Sequence, residues 1–442
     1  MSGKYQKRFN KIPGWIGSKD LRNRARTAAA PNAFSRNRKM PLQDILLCTL
    51  AKKGKTGSME VRKFFEDKGG GAGVSKQGYF QQRKKVNYEV FAALTADYLQ
   101  DFYQGDEPLR WHGYLVLAVD GSKVEVPNSP ENQKTFGAVT NQHGQTLARA
   151  LLSSVMDVYN DFFLDIQIDT ISASEKELAR KHIAPVKAII GDAPCILIAD
   201  RNYPSLGMAH ILEEQGIRYL FRLKTGDYQK ERDAMEGRDE EVLLRHTPAR
   251  LKSMKKSTPE LAGTLTTTGS TQTRIINLKL DSGQEVTLMT NIPTDISTEE
   301  VQQLYLKRWQ IEKKYHTLKN KMQFESITGK ASVYVYQDFW AQVIVYNMIQ
   351  DVMHSANEEA ELRGMEKAYT YPIRVNENIA IGLFKDRFVK IFVEPDEENR
   401  LELLSQLQSD IERYVLPVRV SPTSPRTRHP SNKHPQNLKP SF

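Results

Sequence analysis

Cysteine is nearly absent. Cys48 and Cys195 are the only two in 442 residues, which excludes a disulfide scaffold and a cysteine-rich zinc site. The nine histidines form no His-x-x-x-His pair and no cluster with cysteine, so nitrogen and sulfur metal sites are missing too. No apolar run approaches the roughly 20 residues of a membrane span, and the N-terminal stretch Met1–Phe9 lacks the apolar core of a secretory signal. These absences read as a soluble, cytoplasmic chain with no membrane partner. Acid is scarce at both ends. Residues 1–40 carry eleven basic groups against Asp20 alone, and residues 417–442 carry five basic groups and no acid. The body, 41–416, is left with 47 basic and 52 acidic residues. Basic ends on a near-neutral body suit a polyanion, phosphate first; simply solvated tails have the same composition.

The length allows two or three domains, and the 39% of hydrophobic residues can bury a sizeable core. Residues 1–40 read as a basic arm. Residues 41–105 carry helical signals: Pro41 before Leu42, Ile45, Leu46 and Leu50; Ser58 as a cap; and Ser75 opening a long helix with Phe80, Val90, Phe91, Leu94 and Leu99 inward. Lys76, Arg83, Lys84 and Lys85 near its start would face DNA or plain solvent. Beyond Gly105, Tyr114–Val119 is a continuous apolar run, the mark of a buried strand. Ala148–Val158, Phe162–Ile168, Ile196–Ala199 and Tyr219–Leu223 read as further strands, and Ser174 caps a helix to about Ile190. Residues 225–298 are charged and Thr/Ser-rich with alternating stretches, a β-rich segment around the turn Asp281-Ser-Gly283. Helices resume at Ser297, Val333 and Leu401, and the six prolines of 417–442 mark a disordered basic tail.

Two of the apolar runs end in a carboxylate, at Asp120 and at Asp200. Side chains at strand C-termini converge on the crevice where an α/β sheet binds ligands. Paired carboxylates need a cation or a raised pKa, and oxygen-only donors select a hard ion, Mg²⁺ or Mn²⁺. Asp-Gly and Asp-Arg-Asn also favour turns, which is the other use of these residues. A third acid lies on the helix from Ser297, expected to run to about Met322. At about 100° per residue, Leu304, Ile311, Leu318 and Met322 form a buried stripe. Tyr305, Arg308, Glu312 and Lys319 form a second column roughly 80° away. That column serves equally as a reactive edge or as a salt-bridged solvent face.

With these residues in view, the chain resembles bacterial insertion-sequence transposases of the DDE class, in the branch marked by Tyr-x2-Arg-x3-Glu-x6-Lys. Here the signature is Tyr305-x2-Arg308-x3-Glu312-x6-Lys319, with every spacing met. Ala118-Val-Asp120-Gly-Ser-Lys is similar to the first-aspartate strand of that family. Ile198-Ala-Asp200-Arg-Asn-Tyr203 is similar to its second-aspartate motif, with Asn202 where the family has Gly. Phe136-Gly-Ala, Phe221-Arg-Leu-Lys224 and Arg308-Trp-Gln-Ile-Glu312 also fit, and the likeness spans about residues 40–355.

The resemblance implies an α/β fold with an RNase H-like core, a mixed five-stranded sheet flanked by helices, over 106–224 and 299–355. It further implies a β-rich insertion at 225–298, a helical N-terminal DNA-binding domain at 41–105 and a C-terminal helical region at 356–416. Asp120, Asp200 and Glu312 would be the catalytic carboxylates and hold Mg²⁺ or Mn²⁺, two ions per site. Tyr305, Arg308, Lys319 and Arg201 would contact DNA. The implied activity is cut-and-paste transposition: cleavage and strand transfer at terminal inverted repeats of an insertion sequence, by a homodimer on double-stranded donor and target DNA. The alternatives are a metal-dependent nuclease of the same fold without strand transfer, and a DNA-binding relic.

Overall fold

The computed structural model describes residues 3–418 except 37, 71–72, 106–107, 143, 280–282 and 284. The basic tail, from 419 on, and Asp281 and Ser282 of the expected turn lie outside the described residues. The elements in chain order begin with α1 (Lys4–Gly17), α2 (Lys19–Arg24), α3 (Leu42–Leu50), α4 (Gly57–Asp67), α5 (Lys76–Arg83) and α6 (Glu89–Gly105). There follow β1 (Leu115–Glu125), α7 (Pro130–Phe136), β2 (Ala138–Thr140), β3 (Thr146–Asp157), β4 (Phe162–Thr170), α8 (Glu175–Lys181), α9 (Ile183–Ile190) and β5 (Cys195–Ala199). Next come α10 (Leu206–Glu214), β6 (Ile217–Arg222), α11 (Gln229–Asp233), β7 (Asp239–Arg245), α12 (Pro248–Ser257), α13 (Pro259–Thr268), β8 (Ser270–Lys279) and β9 (Glu285–Thr290). The chain ends with α14 (Thr298–Leu306), α15 (Trp309–His316), a π-helical turn (Thr317–Lys321), α16 (Ser332–Glu366), β10 (Ile373–Val375), α17 (Glu377–Val393), α18 (Glu397–Glu412) and β11 (Val415–Pro417). No described helix is long and apolar enough to cross a membrane.

The chain divides into two compact units. One comprises Met1–Asp106, Lys123–Ala150 and His316–Phe442; the other comprises Glu107–Ser122 and Leu151–Tyr315. The first is mainly helical and centred on α16, which is buried on every side from Phe339 to Val352. Such a helix needs partners all round. It also needs its interior polar groups satisfied. Arg8 grips Asp351 through Nε and Nη2, at 2.8 and 2.6 Å, and Tyr98 donates to the same carboxylate. Lys52 and Arg83 both pair with Asp338.

The structure corrects four expectations here. Residues 1–40 are no arm: Tyr5, Phe9, Ile12 and Ile16 recur at helical spacing, and Phe9 packs its ring against Tyr98, Phe384 and Phe392. The basic count hid that apolar stripe. The 41–105 helices do not stand apart either, since they share one unit with α16, α17 and α18. Arg83 faces neither DNA nor solvent; it is wholly buried on Asp338, while Lys84 stays exposed. The long helix expected from Ser75 is two helices, because Val86 forms a bridge with Arg26 and the Asn87 N–H donates to the Ala25 carbonyl.

The second unit is a mixed sheet flanked by helices. Its strand order is β4-β3-β1-β5-β6-β9-β8-β7. The central β1, β5 and β6 are parallel, and β9, β8 and β7 extend the sheet antiparallel. Cys195–Ala199 is buried throughout, as a doubly covered parallel strand must be. Residues 225–298 thus supply three strands and three helices. The Thr-rich stretch near Gly263, expected as β, is the helix α13. Thr264, Thr266, Thr267 and Thr268 bond back to the carbonyls four residues earlier, and Gly269 ends the helix at φ +76. The helix expected from Ser174 to Ile190 breaks at His182, because Pro185 has no N–H for the Lys181 carbonyl.

Candidate active site

Asp120 does not end its strand. It is the sixth of the eleven residues of β1, which outruns β5 because β3 is still alongside to pair with it. The parallel register with β5 sets Leu117 beside Leu197 and Ala118 beside Ile198. The last paired residues, Ala118 and Ile198, each stand two positions before an aspartate, so Asp120 and Asp200 follow from neighbouring parallel strands.

Asp120 is mostly buried, and burial is the main force pushing its carboxyl up to about 6. Glu312 and Glu175 push it further; the Gly121 N–H and the Arg308 guanidinium oppose them. The Tyr315 hydroxyl donates to the Asp120 carbonyl at 2.8 Å and receives a bond from Ser154 at 2.5 Å, which fixes this part of β1. Tyr305 donates to Asp200 Oδ1 at 3.4 Å. Its own hydroxyl, largely through burial, is raised to about 12, so it stays a donor at neutral pH.

The helix expected from Ser297 to Met322 is broken. The N–H groups of Lys307, Arg308, Gln310 and Ile311 all bond three residues back, a tightened turn between α14 and α15. Further on, the N–H of Met322 bonds five residues back, to Thr317. A uniform 100° wheel cannot follow a chain that winds too tightly and then too loosely. Arg308 sits in the tightened turn, 3% exposed, and donates to Glu312 Oε1 at 2.7 Å. Its guanidinium lies 4.5 Å from the Trp309 ring, and that ring is half exposed. Tyr305 thus reaches Asp200, while the charges of Arg308 and Glu312 act on Asp120. Lys319 lies on the π-helical turn, in the other unit, and donates to the Lys123 carbonyl at 2.8 Å. Arg201 is exposed.

Among the described residues, no three Asp, Glu, His or Cys side chains gather tightly enough to hold a metal ion. The Glu312 carboxylate is paired with Arg308. The donor set nevertheless fits a hard divalent cation. All its donors are oxygens, Asp120 is held back from ionising, and the Tyr203 hydroxyl is buried with no partner. Two participants carried no sequence signal of their own: Tyr315 looks like any helical aromatic and Glu175 like a first-turn acid. Arg222, which lowers the Tyr305 pKa from β6, stood within the Phe221-Arg-Leu-Lys224 match, with no role assigned to it.

Comparison with known proteins gives three likenesses. Residues 111–348 match the family model described as the transposase DDE domain. The chain is 24% identical over 326 residues to the transposase InsG for insertion sequence element IS4 of Escherichia coli (strain K12), covering 71% of this chain and 70% of that protein. Among solved structures, the piggyBac transposase synaptic complex with hairpin DNA aligns over 94% of this chain and 87% of its own, at 9% identity and a TM-score of 0.46.

Proposed function

Because the chain belongs to the transposase DDE-domain family, we propose that it cleaves and rejoins DNA at the terminal inverted repeats of an insertion sequence, with Asp120, Asp200 and Glu312 as its catalytic carboxylates. The observation that supports this reading is the β1–β5 register, which pairs Ala118 with Ile198 two residues before Asp120 and Asp200, together with the action of the Arg308 and Glu312 charges on Asp120. In this reading the sheet from β4 to β6 is an RNase H-like core, strands β7–β9 with α11–α13 are its insertion, and the Tyr305–Lys319 signature marks the branch.

The three carboxylates would hold divalent cations, Mg²⁺ or Mn²⁺, once Glu312 leaves Arg308. A bound pair supplies Lewis acidity for in-line phosphoryl transfer. The chain's own residues do the rest. Arg308, released from Glu312, offers its guanidinium to a phosphate near the scissile bond. Tyr305 holds Asp200 in place with its hydroxyl. Trp309, half exposed beside Arg308, offers a face to an unstacked base. Lys319 and Arg201 add phosphate contacts on the flanking DNA. Two DNA ends need two such sites, hence a homodimer on DNA. The apolar stripe of α18 does not supply that interface, since Leu404, Leu407 and Ile411 are already buried.

The test is a supercoiled donor plasmid carrying the inverted repeats, incubated with Mg²⁺. Excised element and strand-joined product support the reading. Cleavage without joining reduces the protein to a metal-dependent nuclease. DNA binding without cleavage reduces it to a relic.

A further inference from the structure

Glu175 opens α8 directly after Ser174, where an acid normally serves the helix dipole. Its side chain does more than sit at the helix end. A Cβ built on Gly121 would stand 2.8 Å from Glu175 Oε1, 3.1 Å from Cδ and 3.2 Å from Cγ. The carboxylate therefore lies across the bare Cα of the residue that follows Asp120. Its other oxygen, Oε2, is 3.5 Å from Asn202 Nδ2, two residues beyond Asp200. Glu175 thus spans the two aspartate segments.

An acidic cluster alone would say little. The second observation is Tyr203, 1% exposed, whose hydroxyl has no hydrogen-bond partner. Asp120 and then Glu175 are the charges that act on it most strongly. An unpartnered buried hydroxyl can be completed by a water or an ion. The cation acting on Asp120, Arg308, is bonded to Glu312. Around Gly121 and Tyr203 the chain thus brings together carboxylate acceptors and a hydroxyl.

We propose that Glu175 is a fourth carboxylate of the site and helps to hold a divalent cation on its Asp120 side. This rests on the reading of Asp120, Asp200 and Glu312 as the cation-binding residues. It also gives Gly121 a purpose, because any side chain there would displace the Glu175 carboxylate.

The probe is Mn²⁺ titrated into the full-length chain without DNA, followed by loss of the free-ion paramagnetic resonance signal. Thermal unfolding of each variant is recorded alongside. Asp120→Asn should abolish tight binding. Glu175→Gln should weaken it at least tenfold, Glu175→Asp should recover part of the loss, and Gly121→Ala should weaken binding by displacing the carboxylate. If Asp120→Asn loses Mn²⁺ while Glu175→Gln binds as the wild type does, Glu175 is removed from the site and the trio stands. If the wild type itself takes up no Mn²⁺ at millimolar concentration, the trio and the fourth carboxylate fall together. Should Glu175→Gln fail to fold, Gly121→Ala decides alone, and wild-type affinity in it overturns the proposal.

Discussion

The sheet unit contains two polar clusters made of the same materials, carboxylates and hydroxyls, finished in opposite ways. In one, His182 donates from Nδ1 to Asp165 Oδ2 at 2.6 Å and accepts at Nε2 from the Ser153 hydroxyl at 2.9 Å. Gln167 adds a further bond to Asp165 at 2.8 Å. The order Ser–His–Asp is that of an activated nucleophile. Here the three residues are at most 3% exposed and leave no room for a substrate. They pin the junction of α8 and α9 to β3 and β4. In the other cluster, the Tyr203 hydroxyl has no partner among the described residues and burial raises the Asp120 carboxyl to about 6. A complete polar network is structure; an incomplete one is a place for a ligand.

The largest expected effect separates the two clusters by activity. Asp120→Asn, Asp200→Asn or Glu312→Gln should lower Mg²⁺-dependent DNA cleavage by about 10³-fold or more while leaving band-shift affinity intact. Ser153→Ala should cleave normally per folded molecule. Loss of cleavage in folded Ser153→Ala would make the closed cluster functional and break the contrast.

Stability should divide them the other way. His182→Ala strands a buried Asp165 and should destabilise the protein by about 2–4 kcal/mol in urea unfolding. Asp120→Asn should stabilise the metal-free protein at pH 7 by about 1–2 kcal/mol, the rise of its carboxyl to about 6 being discounted for partial exposure. The sign follows from proton binding. The folded Asp120 carboxyl titrates at about 6, above its unfolded value, so the fold binds more protons between about pH 4 and 6. Metal-free stability should therefore fall as pH rises through that window and flatten in Asp120→Asn. A mutant no more stable than the wild type would mean that Asp120 already has its counter-charge.

The smallest effects concern DNA contacts. Arg308→Ala and Lys319→Ala should each reduce the salt slope of end binding by about one phosphate contact. An unchanged slope for Arg308→Ala would leave its guanidinium as a structural partner of Glu312 alone.

Much of the site was legible because its residues sit at positions that sequence patterns mark: acids closing apolar runs, and a spaced signature on a helix. What joins them was not. The strands that lead to Asp120 and Asp200 are joined by a register decided by pairings across 80 residues of chain. The column of Tyr305, Arg308 and Glu312 was found with the wrong geometry. It assumed a regular helix where backbone bonds tighten at Arg308 and loosen after Thr317. Glu175 was legible only as a helix-start acid, since its contact with Gly121 belongs to tertiary structure. At the N-terminus, eleven cations masked four apolar residues that recur with a helix period, and charge was read where packing decides.

That N-terminal helix has a consequence for synthesis. Tyr5 donates to the Leu404 carbonyl at 3.3 Å and to Gln408 at 2.9 Å, and Phe9 stacks on Phe392. Few contacts in a chain span a greater sequence distance, and such closures form late in folding. During synthesis α1 must therefore wait, with Tyr5, Phe9, Ile12 and Ile16 exposed, until α18 has been made. Chains truncated before α18 would keep that apolar face open and be directed to aggregation or proteolysis. The first unit closes only once both α1 and α18 are present.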